Sequence, residues 1–479
     1  MGETKRKMIK GAMWVAVEKY AITGINLIVT MVLARLLSPS DFGIISLACV
    51  CLAFISMLSE MGLGPAIIQQ QEMSQKDIDS IFTFTILVGA FFSLVNFALS
   101  WPIADFYHNE KLIPICQLLS LNFFVGAINS LPETLMVKHQ RFKEKTIRSL
   151  GLVMITGPLS VIAAYNGLGV YSLMITPFVN SFGIFFYNRR FYPCQIDFHF
   201  SMAPIKRMAS FSIFQFLFQF VNYFSRNLDK LIIGRSISMT ALGYYDNSYR
   251  LTQMPHNNIT SILVSVLQPN FSQYQNDKIT MSEKYLKVIS LVAAISFPLG
   301  VTLCLCGPEI ILLLYGIKWE AAIPCFQILA LSIPFSMLNS TTGAIYQASN
   351  ATKYLFYAGS INSGIMVMAF MIAAYWGRNI ESMALAWTLI SICGFGCTFT
   401  IMYRIVFRSS VYRVLRVITK PFVNCVLLFG VLWTISFLCS LPVFTMAVVK
   451  LLAAFIVTIA FMQMSGEMDF LSHFKKRRE

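Results

Sequence analysis

The chain has 479 residues, 56% of them hydrophobic and only 12% charged, with a mean hydropathy of +0.66. Soluble domains carry about 25% charged residues, so this composition excludes an ordinary soluble enzyme or binding module. The formal net charge of +15 would suit a nucleic-acid partner, but the placement of the charges points elsewhere.

Fourteen apolar helical spans are expected in chain order: 12–36, 42–68, 79–102, 112–136, 147–166, 168–188, 209–234, 241–269, 285–306, 321–348, 354–376, 381–404, 418–440 and 443–464. Each is long enough to cross the hydrocarbon layer, and a miscount at either end would leave twelve. The basic N-terminus followed by an apolar run shows no A-x-A cleavage site and is expected to be a retained first helix. With that terminus cytoplasmic, Lys and Arg should crowd the even-numbered loops. Of the 37 Lys and Arg, 27 fall on that side, five on the other and five within spans. The positive charge is therefore topological, both termini are expected in the cytoplasm, and no nucleic-acid partner is expected. The eleven cysteines lie mostly in or beside apolar runs without a paired CxxC framework or nearby histidines. They read as small apolar membrane residues, and no metal site is expected.

The sequence repeats itself at an interval near 200 residues. Arg35, Ser38 and Gly43 recur as Arg235, Ser238 and Gly243. Pro114, Gln117, Leu119 and Leu121 recur as Pro324, Gln327, Leu329 and Leu331, and Asn129-Ser130 as Asn339-Ser340. Each unit holds six helices, an even number, so the two share one topology, as in parallel repeats related by an axis along the membrane normal. The expected fold is an all-α integral membrane protein with two parallel six-helix lobes around a central cavity, plus two C-terminal helices. Its boundaries are residues 1–190 for the first lobe, 191–207 for an interfacial cytoplasmic connection, 208–407 for the second lobe, and 408–479 for two added helices and a basic tail.

Ionisable groups in hydrocarbon are costly and normally face a bundle interior or a wet cavity. In the seventh span Gln215, Gln219, Asn222, Arg226 and Lys230 follow helical spacing and form one polar stripe, with Asp229 on the same side. The eighth repeats the pattern with Asp246, Arg250, Gln253, Asn257 and Thr260. The first has a weaker stripe of Lys19, Thr23, Asn26 and Thr30, and the second offers Glu60. These four spans should line the cavity. Arg226, Asp229, Lys230, Asp246 and Arg250 would form an outer cluster with one net positive charge. Glu18, Lys19 and Glu60 would form an inner one with one net negative charge. Arg226, Lys230 and Arg250 could grip an anion, Arg through two parallel hydrogen bonds. The alternative is that Arg226 pairs with Asp229, and Asp246 with Arg250, for structure alone. Tyr244, Tyr245 and Tyr249 could stack on sugars or serve as interfacial belt residues. Lys450 reads as a snorkelling or packing residue, and His256 as a packed polar one. Pro65, Pro158, Pro177, Pro255, Pro298 and Pro334 mark hinges or static kinks. No P-loop, HExxH or G-x-S-x-G motif is present, and catalysis has no obvious seat.

The opening GAMWVAVEKY, then VLARLLSPSDFGIISLA and SEMGLGPAIIQQ, resembles the polysaccharide flippases of the multidrug/oligosaccharidyl-lipid/polysaccharide exporter superfamily, most of all the colanic acid exporter branch. The block from Asn227 to Leu251 is similar to that family's second-half signature. The resemblance implies two six-helix lobes in a V and a polyprenyl diphosphate-linked oligosaccharide moved across a bacterial plasma membrane. It implies a cationic cavity, with Arg226, Lys230 and Arg250 as the residues here, although Asp229 and Asp246 would cancel much of their charge. No bound cofactor is implied. A proton or sodium gradient would drive transport, with Glu18, Glu60 or Asp229 as carriers, and a polysaccharide polymerase and assembly proteins would be partners. A proton- or sodium-coupled drug exporter of the same fold is the alternative, and its cavity should instead be dominated by aromatics and carboxylates.

Overall fold

The computed structural model describes residues 2–60, 67–68, 73–196, 223–224, 226–439 and 441–465. The described residues form helices and no strands. In a membrane no water satisfies the backbone, so helices that bond all their own amides are the natural solution.

Chain contacts divide the protein into two compact units, Met1–Gly243 and Tyr244–Glu479. The first begins with α1 (Gly2–Leu36), α2 (Pro39–Glu60), α3 (Gln75–Phe106), α4 (Leu112–Lys138), α5 (Phe142–Tyr165) and α6 (Ser172–Arg189). It also holds α7, helical over 226–236. Then follow α8 (Met239–Ser272), α9 (Lys278–Leu305), α10 (Gly307–Leu314), α11 (Ile323–Ala330), α12 (Ile333–Ala348), α13 (Thr352–Ile372), α14 (Ile380–Ile401), α15 (Tyr412–Leu438) and α16 (Val443–Met464). Among the described residues eleven helices are long and apolar enough to span a membrane. Residues 317–330 and 333–348 together make a twelfth, bent by 49°.

Most of the expected prolines do not break their helices. Pro158, Pro177, Pro255 and Pro298 lie inside continuous helices. Pro334 does mark a break, standing in the first turn of α12, where its missing N–H costs nothing. Pro65 lies outside the described residues. The short helix α10 was not expected from the sequence, which reads 307–314 as a connection.

In the first unit α1 packs on α5, α3 on α4, and α5 on α6. α3 and α4 come together where a side chain on Gly89 would press on Ala127, its Cβ 2.6 Å from the alanine Cβ. Small residues permit such close approach in membranes, where packing rather than hydrophobicity drives association. The same seam carries polar ties: Ser93 donates to Ser120 O (2.8 Å) and Asn96 to Cys116 O (3.3 Å). Ser74 starts α3 with a reciprocal cap, accepting from Asp77 N (3.1 Å) while Asp77 accepts from Ser74 N (3.1 Å). Ser74→Ala is expected to lower stability by about 1 kcal/mol, read as a lower melting temperature of the detergent-solubilised protein.

In the second unit α9 packs on α12 and α15, α14 on α11, α12 and α13, and α15 on α16. Its core is polar-stitched: Tyr285 and Thr341 share a hydroxyl contact of 2.7 Å, and Tyr346 donates to Thr398 O (2.8 Å). The internal duplication is visible as chemistry within each unit. Asn129 donates to Ser181 O (3.0 Å) between α4 and α6. Its repeat mate Asn339 donates to Ser391 O (3.4 Å) between α12 and α14. Both partners shift by the same 210 positions, so one hydrogen bond has been kept in both copies.

Candidate functional site

The expected polar stripes are placed as follows. Gln215, Gln219 and Asn222 lie outside the described residues, as does the connection from residue 197 onward. The backbone of Glu60 ends α2, and its side chain is outside the description. α7 carries Arg226 exposed, Asp229 buried and Lys230 half-buried. Asp229 Oδ1 accepts from the Lys230 backbone N–H (2.8 Å). α7 is seated on the first unit: Tyr223, just ahead of it, donates to Val50 O on α2 (2.5 Å) and stacks obliquely on Phe54. Arg235 lies over the Phe106 ring at 5.2 Å.

Glu18 is half-buried and accepts from Thr146 of α5 at 3.4 Å. Thr146 also contacts Trp14 O (3.2 Å). This end of α1 is therefore tied to its own unit. Lys19 is half-buried, and its carbonyl accepts from Thr23 (2.7 Å).

On α8 the structure forms the pair that the sequence left open. Arg250 Nε donates to Asp246 Oδ2 at 2.8 Å. The aspartate side chain is 4% exposed and the arginine side chain 63%. A buried carboxylate thus fixes the near edge of a guanidinium that reaches into the open. Gln253 is half-buried, Asn257 exposed and Thr260 buried. The tyrosines nearby pack inside the second unit. Tyr245 is fully buried, Tyr244 meets Trp319 edge-on and donates to Lys318 O (3.1 Å), and Tyr249 meets Trp387 edge-on. Tyr245 also stacks on Tyr249.

Two charged clusters were not assembled by the sequence reading. Arg148, one of the 27 basic residues assigned to the cytoplasmic side, lies inside α5 with 5% exposure. It donates to both oxygens of Glu133 (2.7 and 3.2 Å) and to Asn188 Oδ1 (2.5 Å), while Lys145 sits 3.2 Å from Glu133. Lys450, expected to snorkel or pack, packs: it is 3% exposed, donating to Glu309 Oε1 (2.5 Å) and Leu305 O (3.0 Å). Polar residues inside apolar runs were the available signal. Their partners lie on other helices, so spacing along the chain could not pair them.

All eleven cysteines are free thiols, and no group of three or more His, Cys, Asp or Glu among the described residues is arranged to hold a metal. Outside the spans, burial and then the nearby Asp79 push the Cys194 thiol up to about 11, which keeps it unreactive at neutral pH.

A model of the family described as polysaccharide biosynthesis protein matches residues 32–324. The chain belongs to that family. The match runs from the end of α1 into α11 and so takes in both charged helices, α7 and α8. The lipopolysaccharide biosynthesis protein WzxC of Escherichia coli (strain K12) is 25% identical over 424 residues, covering 87% of this chain and 85% of that protein. The teichuronic acid biosynthesis protein TuaB of Bacillus subtilis (strain 168) is 24% identical over 430 residues, covering 88% and 87%. The solved structure titled lipid II flippase MurJ, in an inward closed conformation, superposes with a TM-score of 0.74 at 14% identity, over 95% of this chain and 98% of that one. At this identity the likeness is one of fold.

Proposed function

We propose that this protein is a flippase that carries polyprenyl diphosphate-linked oligosaccharide units across a bacterial plasma membrane for surface polysaccharide assembly. It is a transporter and not an enzyme. The observation that carries the reading is a family match over residues 32–324, which extends through α7 and α8, the helices that bear Arg226, Lys230 and Arg250. Relatives named for lipopolysaccharide and teichuronic acid biosynthesis support it.

The physical task is to move a charged, sugar-bearing headgroup through hydrocarbon while the lipid tail stays outside. A hydrated groove bearing cations removes most of that cost. Arg226, Lys230 and the Asp246-oriented Arg250 bind the diphosphate in this proposal, and Gln219, Asn222, Gln253 and Asn257 meet polar groups beside it. Fourteen helices serve the transport cycle: the eleven spans, the bent span, and α7 and α8. They comprise lobes at 1–190 and 208–407, a surface connection at 191–207, and an added pair at 408–479, with both termini cytoplasmic. A proton or sodium gradient drives alternating access through Glu18, Lys19, Glu60, Asp229 or Asp246. The product passes to a polysaccharide polymerase and its assembly proteins.

The test is transbilayer movement of a polyprenyl diphosphate oligosaccharide in proteoliposomes holding the purified protein. Movement above protein-free vesicles is expected. Arg226→Ala and Lys230→Ala should each slow it by about tenfold, the worth of one charge-assisted hydrogen bond, without loss from the membrane. Normal rates in both would remove the anion assignment.

A further inference from the structure

The internal repeat lets each unit serve as a control for the other. Gln117 of α4 donates to Ser100 Oγ of α3 (3.4 Å), and its repeat mate Gln327 of α11 donates to Cys304 O of α9 (3.0 Å). Residues 100 and 304 therefore correspond, a shift of 204 along this helix. On that shift Leu94, Phe97, Trp101 and Asp105 of α3 answer to Pro298, Val301, Leu305 and Glu309 of the second unit. In the second unit the chain's own last two helices cover this face. Pro298 is buried, and Val301 and Leu305 pack against Leu428 and Leu432 of α15 and Ala454 of α16. Lys450 of α16 completes the cover, donating to both Leu305 O and the Glu309 carboxylate.

The corresponding face of the first unit is open. Leu94, Phe97 and Trp101 are 70%, 43% and 50% exposed. A groove of about 710 Å³ runs between α3 and α4, lined by Leu94, Phe97, Gln117, Leu118, Leu121 and Tyr171. The Phe97 and Trp101 rings meet edge-on at 5.5 Å and wall one side. Asp105, the counterpart of Glu309, is exposed in the last turn of α3. The helix dipole disfavours an anion there. Among the described residues no ion pair reaches its carboxylate, and Arg235 at the same end lies over the Phe106 ring instead.

We propose that the groove on α3 and α4 docks a transmembrane helix of another protein, one that carries a Lys or Arg placed to reach Asp105. Lipid tails are as apolar as the groove and gain little by entering it. Helices associate in membranes through close packing and interhelical polar bonds, and this face offers both. Asp105 supplies selection, because a helix without a cation leaves it unpaired. A second copy cannot offer its α16 in this role, since Lys450 is already held by Glu309. The inference rests on the membrane fold and its repeat and not on the cargo, so the docking face and the flippase reading stand or fall separately.

The test is photocrosslinking in intact cells of the native host, with a benzophenone side chain in place of Leu94 in the full-length chain. Light should join it to one other membrane protein. Sequencing of the joined peptide should place the bond in an apolar span with a Lys or Arg about 11 residues away, the helical distance from Leu94 to Asp105. Asp105→Asn should lower the yield per flippase in the membrane about tenfold, the worth of one charge-assisted hydrogen bond. Asp105→Lys should abolish the product, and exchanging the partner's basic residue for Asp should restore it. The same group in place of Ile162, exposed on α5, should not give it. If the Leu94 variant fails to accumulate, Phe97 opens on the same groove and takes the label. Crosslinks to phospholipid alone make the groove a lipid seat, and crosslinks to a second copy alone make it a dimer face; either overturns the proposal. So does no product, an equal product from position 162, a yield indifferent to Asp105→Asn, or a charge exchange that restores nothing.

Discussion

Lys450→Met is expected to destabilise the protein by about 3–5 kcal/mol, the range measured when one member of a buried ion pair is removed. The side chain is 3% exposed, and its ammonium satisfies Glu309 Oε1 and the Leu305 carbonyl together. Methionine fills the same volume, so the loss isolates charge from packing. It strands a carboxylate whose other oxygen, Oε2, is already buried without a hydrogen-bond partner. Glu309→Gln combined with Lys450→Met should recover most of the loss, because no uncompensated charge then remains. Thermal unfolding of the four proteins in one detergent gives the coupling energy directly. An additive result, with no recovery in the double variant, would show that the two groups stabilise the protein independently. α16 carries Lys450 and α10 carries Glu309, so the pair pins the last helix to the second unit.

Arg148→Ala should cost about 3 kcal/mol by the same reasoning. The guanidinium serves both Glu133 oxygens and Asn188 Oδ1, locking α4, α5 and α6 at one point. Lys145 is 3.2 Å from Glu133 and keeps part of the compensation, which places the expected loss at the low end of the range. Arg148→Lys should recover less than half of it. A lysine keeps the charge but lacks the planar fork that reaches three acceptors. Glu133→Gln with Arg148→Met should again be milder than Arg148→Ala alone. The readout is the melting temperature together with the amount of protein retained in the membrane. Equal stability of Arg148→Lys and the wild type would show that charge alone, and not the fork, holds the three helices.

Much of the architecture was legible before any coordinates. Spans are set by length and hydropathy, which are local properties of the chain, and the span ends that both readings share differ by only a few residues in most helices. The duplication was legible too, because Asn129 and Asn339 sit in matching words of sequence. The structure adds that both make the same hydrogen bond, to Ser181 and Ser391. The polar stripe on α8 was likewise a matter of local spacing, and the Asp246–Arg250 pair at i,i+4 was one of the two readings open there.

What the sequence by itself determined was therefore the membrane class, most of the apolar spans and the repeat, all of which follow from periodicity and transfer free energy along one strand of chain. Tertiary structure alone decided the partners of Arg148 and Lys450, and the close approach of Gly89 to Ala127. Glu309 lies 141 residues from Lys450, and Asn188 lies 40 from Arg148. A buried charge is tolerable, and a glycine necessary, only because of what another helix brings beside it. That information belongs to packing and is absent from any local pattern.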